Sequence, residues 1–310
     1  MKHEYEVTAF AKINMFLRVC GTLPNGYHRL YTLMQEISLG DDVTVNIYDD
    51  REYDIGIICD RTDIEVKKNL CYKAADRFYS KLAKCLREKG INNPYETFGF
   101  TEIEVVKNTP SEAGLGGGSA DAAAVLRVLQ EHYENPFTME ELVAMAVGIG
   151  ADVPFFLYGE SSICEGVGEI VTKWPSLAGL PMILIKPTPG VSTPACFKAV
   201  DSEPIIFDEE EYKTKIEAIF TSDDEPINKI INARELLTND LQKPAVVEVP
   251  QINDCLDALN SSGAVFALMS GSGSSSFGIF ESVDKRDMAL NILAEDTRLH
   301  GCKIYPIESI

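Results

Sequence analysis

Two ionisable residues and one glycine run carry the chemistry that can be read directly from this chain. In Pro110-Ser111-Glu112-Ala113-Gly114-Leu115-Gly116-Gly117-Gly118-Ser119-Ala120-Asp121, four glycines lead into an alanine-rich stretch. Glycine lets main-chain N–H groups close on an anion, and the first turn of a helix adds about half a positive charge at that end. The run fits a phosphate cradle, with Ser119 expected at the helix cap. A tight connection without a ligand is the alternative, but four glycines are more than such a turn requires. Neither GxxxxGKS/T nor GxGxxG is present, so the P-loop and the dinucleotide fingerprint do not apply.

Lys12 lies in Phe10-Ala11-Lys12-Ile13-Asn14-Met15-Phe16-Leu17, where an ammonium is costly unless it is paired or faces a cleft; at a strand edge it would need no function. Asp152, in Gly150-Ala151-Asp152-Val153-Pro154, is a carboxylate among small and apolar neighbours. It is suited either to capping the next turn or to taking a proton from a substrate hydroxyl. Gly26-Tyr27-His28-Arg29 follows a turn at Leu23-Pro24-Asn25 and reads as a structural pair of rings or as a pair that reads a ligand. Gly271-Ser272-Gly273-Ser274-Ser275-Ser276 is either a hairpin or a second set of backbone donors for a phosphate.

These residues need elements to hold them. Thr101 to Lys107 alternates as a strand and Ala122 to Leu126 begins a helix, which leaves the glycines in the bend. Val43 to Ile47 and Ile55 to Ile58 are extended, and Asn69 to Lys89 has helical spacing. Thr138-Met139-Glu140-Glu141 is a capping box for a helix reaching Val147, ended by Gly148-Ile149-Gly150. Past Pro154 to Gly159 the pattern predicts a strand at Met182 to Ile185 and acidic helices from Glu209 and Ile227. Strands at Ala264 to Met269, Phe277 to Phe280 and Lys303 to Tyr305 follow, with a helix at Lys285 to Ala294 before the last. The expected class is α+β, two packed units with helices over an antiparallel sheet. Ser222-Asp223-Asp224-Glu225 is a solvated loop, and no internal repeat is visible.

Composition narrows the function further. The 310 residues are 45% hydrophobic and 25% charged, as in an ordinary globular protein. Lys and Arg number 28 against 48 Asp and Glu, a net charge of −20 whose field repels nucleic acid and acidic membranes. A phosphate compound must therefore be held locally, by backbone N–H groups, a few lysines and a divalent cation. Eight dispersed cysteines without a CxxC pair, no secretory or transit pattern and no run of ~20 apolar residues predict reduced thiols and a cytoplasmic chain.

In order along the chain, Ala11-Lys12-Ile13-Asn14, Asn25-Gly26-Tyr27-His28, Ala113 to Ala123, Gly150 to Phe155, Glu165-Gly166-Val167-Gly168-Glu169 and Ser270 to Ser274 are spread over nearly the whole chain. Together they resemble the superfamily of galactokinase, homoserine kinase, mevalonate kinase and phosphomevalonate kinase. More narrowly, they resemble its branch acting on a cytidine diphosphate-linked methylerythritol in the non-mevalonate route to isoprenoid precursors.

The resemblance implies a two-domain fold: a ribosomal-protein-S5-like ATP-binding and catalytic domain over residues 1–160 and a ferredoxin-like, substrate-binding α/β layer domain over 161–310. It implies ATP and Mg²⁺, with no assigned metal ligands. Nucleotide contacts would come from Asn69, Leu70, Lys107, Pro110, Ala113, Gly114, Leu115, Gly116, Gly117, Gly118 and Ser119. Asp152 would be the base with Lys12 as its charged partner, while Asn14, Tyr27, His28 and Phe197 would bind a small-molecule alcohol. No nucleic-acid or membrane partner is expected, and the assembly would be a monomer or homodimer.

Two positions depart from the family pattern: Ser274 replaces a common proline, and Glu112 adds negative charge before the phosphate segment. The stretch from 201 to 239 carries little family signal. Competing readings are a homoserine-kinase-like enzyme and a nucleotide-binding regulator without catalysis.

Overall fold

A computed structural model describes residues 1–60, 65–203 and 205–310. Two compact units interleave along the chain. Met1–Ala11, Leu39–Thr109 and Gly116–Tyr158 form the first; Lys12–Ser38, Pro110–Leu115 and Gly159–Ile310 form the second. Residues 12–38 and 110–115 group with the later part of the chain.

Two long strands, β1 (Lys2–Thr22) and β2 (His28–Tyr48), contribute residues to both units. In the first unit the end of β2 pairs antiparallel with β4 (Phe100–Val106), Val43 opposite Val105 and Val45 opposite Ile103. On its other side β4 runs parallel to β3 (Asp54–Cys59). Thr101, Ile103 and Val105 are buried while the residues between them are not, the period-two pattern of a strand with one covered face.

Helix α1 (Leu70–Glu88) begins at Asn69, whose side chain accepts from the Cys71 N–H. It buries Cys71, Ala74, Ala75, Phe78, Tyr79 and Leu82 along one stripe. It packs on α2 (Gly117–His132), which is buried almost continuously from Ala120 to Gln130. The alanines at 120 and 122 to 124 allow that close approach without costing helix propensity. Helix α3 (Met139–Val147) carries both hydrogen bonds of the Thr138–Glu141 capping box, and α4 (Val153–Tyr158) follows.

In the second unit, the start of β2 pairs antiparallel with β5 (Ser161–Gly166), which turns back into β6 (Ile170–Lys173). A separate antiparallel sheet has the order β10 (Lys303–Glu308), β7 (Pro181–Lys186), β9 (Ser276–Ile279), β8 (Phe266–Met269). Ile183 and Ile185 of β7 pack with Cys255 and Leu259 of α9 (Gln251–Ser261) and with Ala289 and Leu293 of α10 (Val283–Ala294). A second cluster joins Leu17 and Val19 to Cys196 and Val200 of α5 (Thr193–Ser202), Ala245 of α8 (Gln242–Glu248) and Met269. Of the two helices expected to be acidic, α6 (Glu209–Phe220) opens on three glutamates, whereas α7 (Pro226–Ala233) contains no acidic residue and buries Ile230 and Ala233. The α+β layer architecture matches the expectation. All eight cysteines are free thiols, and no helix among the described residues is long and apolar enough to cross a membrane.

Candidate active site

Lys12 is 3% exposed, so its ammonium must be compensated inside the protein. It donates to Asn14 Oδ1 at 2.6 Å and to the Gly114 carbonyl at 2.9 Å. Lys12 and Asn14 are two residues apart on one strand and therefore share a face. Asn14 is itself held, donating from Nδ2 to Thr32 Oγ1 and from its main-chain N–H to Ser270 Oγ, which in turn donates to Gly114 O.

Gly114 has φ +71°, and a Cβ there would lie 2.0 Å from the Ser270 carbonyl oxygen. This glycine is required by close packing against main chain, whatever else the segment binds. Leu115 O accepts from the Lys12 N–H, and Ala113 O from the Ser275 N–H.

The C-terminal glycine loop is a hairpin connection between β8 and β9, anchored from within the second unit. Asn239 donates from Nδ2 to Met269 O at 2.8 Å and to Gly271 O at 2.7 Å, while its Oδ1 accepts from Leu241 N–H. Ser274, in place of the common proline, donates its hydroxyl to Pro189 O and its N–H to Glu112 O. The Glu112 carboxylate lies against Gly190 and acts electrostatically on Lys186. Burial lowers the Lys186 pKa, and Glu112 partly offsets this. The charge of Glu112 thus has a counter-charge in its own unit.

In the first unit, the residue before α2 is Gly116, in the left-handed conformation at φ 68°. Ser119 is accordingly not the cap that its type suggests; it is the third residue of the helix, and the helix begins five residues before Ala122. Glycine reaches positive φ without a Cβ penalty, so Gly116 can hold the cap position and the first turn opens with Gly117, Gly118 and Ser119. A Cβ on Gly118 would be 3.7 Å from Leu70 Cδ1, and one on Gly150 would be 3.6 Å from Ser119 Oγ. The Asn69-Leu70 turn, the glycine helix start and the loop leading to Asp152 therefore meet. Asp152 is partly exposed in the turn just before α4.

Lys107 donates to the Asp41 carboxylate and, at 2.7 Å, to Asp121 Oδ2. The other Asp41 oxygen accepts from the N–H groups of Asn108 and Thr109, both at 2.7 Å. Burial would lower the Lys107 pKa, but the two carboxylates raise it. Burial pushes the Asp121 carboxyl up to about 7; Lys107 opposes this and neighbouring Asp41 adds to it. Asp121 Oδ1 is buried and receives no hydrogen bond among the described residues.

A third group sits at the start of β2. The His28 ring stacks on Phe197 at 4.5 Å between centroids, and its Nε2 lies 2.8 Å from Asp201 Oδ1. Tyr27 is outside that stack and 63% exposed. Phe197 and Asp201 are four residues apart on α5, on one face.

Asp41, Asn239, Thr32 and Asp201 lie outside the motifs read from the sequence, and Ser270 opens one of them without a role of its own. Only Gly40-Asp41-Asp42 and Asn239-Asp240 carried a hint, as polar pairs beside apolar runs.

Residues 69–160 match the family model described as GHMP kinases N terminal domain, and residues 216–296 that described as GHMP kinases C terminal. The chain is 35% identical to the 4-diphosphocytidyl-2-C-methyl-D-erythritol kinase of Desulfitobacterium hafniense, over 95% of this chain and 93% of that protein. A crystal structure of a 4-(cytidine 5'-diphospho)-2C-methyl-D-erythritol kinase matches 98% of this chain and 99% of its own, with a TM-score of 0.74 at 30% identity. Homoserine kinase from Cytophaga hutchinsonii shares the fold, with a TM-score of 0.73 at 20% identity over 100% of this chain and 96% of its own. The chain therefore belongs to the 4-diphosphocytidyl-2-C-methyl-D-erythritol kinase family of GHMP kinases.

Proposed function

We propose that this chain transfers the γ-phosphoryl group of ATP to the 2-hydroxyl of 4-diphosphocytidyl-2-C-methyl-D-erythritol, giving the 2-phosphate and ADP on the non-mevalonate route to isoprenoid precursors. The observation that supports this most is the likeness, over 95% of the chain, to a relative named for that activity.

Asp152 would accept the proton of the attacking hydroxyl. The hydroxyl oxygen would form the new bond to the γ-phosphorus as the bond from that phosphorus to the β,γ-bridging oxygen, which leaves with ADP, breaks. Lys12 would stabilise charge on the moving group, a task suited to an ammonium fixed by Asn14 and Gly114. Asn69, Leu70, Lys107, Pro110 and the segment from Ala113 to Ser119 would serve the nucleotide, with N–H groups of the first turn of α2 as phosphate donors.

Mg²⁺ would enter with the nucleotide and lower the charge that the hydroxyl meets. Among the described residues no cluster of three His, Cys, Asp or Glu could hold it alone. Mg²⁺ commonly binds through one or two carboxylates plus substrate phosphates, so no protein cage is needed.

Asn14, Tyr27, His28 and Phe197 would hold the alcohol, the aromatic groups gripping its cytosine; stacking contributes about 1 to 3 kcal/mol per base. Residues 1–160 would carry the nucleotide and catalytic groups, and 161–310 would complete the substrate side. The free thiols favour a cytoplasmic setting.

Incubation with ATP, Mg²⁺ and a panel of alcohols, including the cytidylylated methylerythritol and homoserine, followed by product mass, tests the assignment. One added phosphate on the cytidine compound is expected. Phosphorylation of homoserine with none on the cytidine compound would overturn it.

A further inference from the structure

The geometry points to Lys107 as a positioning residue of the nucleotide segment, acting through Asp41 and Asp121, and not as a direct ligand of the phosphates. This rests on residues 114–119 being the ATP cradle.

Three buried or nearly buried charged groups meet here from three elements. Asp41 belongs to β2, Lys107 follows the end of β4, and Asp121 is the fifth residue of α2. Asp41 is fully buried and Asp121 is 4% exposed. One Asp41 oxygen receives the N–H groups of Asn108 and Thr109 and so fixes the chain where it enters the glycine segment. Asp121, one turn into the helix, fixes the chain where it leaves.

The two ends also touch. A Cβ on Gly117 would lie 3.0 Å from Thr109 Cγ2 and 3.2 Å from Asp41 Oδ2. One ammonium therefore ties the entrance and the exit of the segment to the same strand. Helix-start N–H groups serve an anion only when they are already aimed, and this tie supplies the aim.

A swing of Lys107 to a bound phosphate would leave two neighbouring carboxylates buried without a cation, next to an added anion. That arrangement is strongly unfavourable. The lysine works by staying where it is.

The test measures direct ATP binding by calorimetry, the KM of the alcohol and thermal unfolding for Lys107→Met, Lys107→Arg and the isosteric Asp121→Asn. At pH 8, where Asp121 is ionised, the expected result is a weakening of ATP binding by about tenfold or more in Lys107→Met, which loses its charge-assisted hydrogen bonds, and in Asp121→Asn, which loses the ion pair. Lys107→Arg should recover part of it, with the KM of the alcohol little changed throughout.

Tighter ATP binding in Asp121→Asn would mean that a freed ammonium reaches the phosphates, and would overturn the inference. Unchanged ATP affinity in folded Asp121→Asn, with only a lower Tm, would overturn it too. Should Lys107→Met fail to fold, Asp121→Asn and Lys107→Arg decide. A parent protein that binds ATP but phosphorylates another alcohol refutes the acceptor assignment and leaves this inference standing; a parent that binds no ATP refutes both.

Discussion

At the scale of single residues, a buried amine with two oxygen partners and a glycine wedged against main chain are where this chain concentrates its constraints. Lys12 was legible because an ammonium in an apolar strand demands an explanation. Asp41 and Asn239 were not, because their partners come from residues 107 to 109 and 269 to 271, too distant for local spacing to reveal.

Gly114→Ala should destabilise the protein by more than about 3 kcal/mol in urea unfolding, since it adds both positive-φ strain and a clash with Ser270 O. Asp152→Asn should lower kcat by at least ~100-fold, the low end for a general base, with nucleotide affinity retained. Near-normal turnover in that variant would remove Asp152 from the chemistry.

Asp121 carries a pH signature. Its carboxyl titrates near 7 in the fold against an ordinary 3.8, so the stability from its neutral form is complete below about pH 4 and lost as pH rises through 7. Asp121→Asn should therefore flatten the fall in unfolding free energy between pH 5 and 8 by at least about 1 kcal/mol. An unchanged slope would show that the group titrates normally.

At the scale of elements, alternation and capping chemistry located most of the framework. The Thr138 box, the helix ending at Val147 and the strands around residues 103, 184 and 278 lie where periodicity places them. Thr138→Ala should cost α3 about 1 kcal/mol, measured as a shift in urea midpoint; an effect near zero would mean that packing alone holds the helix.

The start of α2 was misplaced for a physical reason. Serine is a common cap, but here glycine takes the left-handed cap position and frees Ser119 to sit inside the first turn. Helix α8, seven residues with an internal proline, and strand β6, four residues long, offered too little pattern to read; packing and pairing hold them. The family resemblance was legible because most of its motifs carry glycines at turns; the exception, Ala11 to Asn14, lies inside β1 and is marked by its buried lysine.

At the scale of the whole molecule, the composition and the order of motifs gave the class, but the interleaving of units was invisible to any scan for a single linker. Residues 161–310 expressed alone lack the β2 residues that pair with β5, and lack the residues 110–115 that hold the loop after β8. This fragment should be insoluble or non-cooperative in thermal unfolding, and co-expression with residues 1–160 should restore a cooperative transition. An independently cooperative fragment would show that the later segments suffice.

Residues near 36 also meet the far end of the chain: Ile37 bridges Ser309, and the Ile310 N–H donates to Glu36 O. During ribosomal synthesis residues 36 and 37 wait for about 270 further residues before these partners are made. Those few backbone groups therefore stay without these partners through most of translation, while the rest of β2 can already pair with β4 and β5.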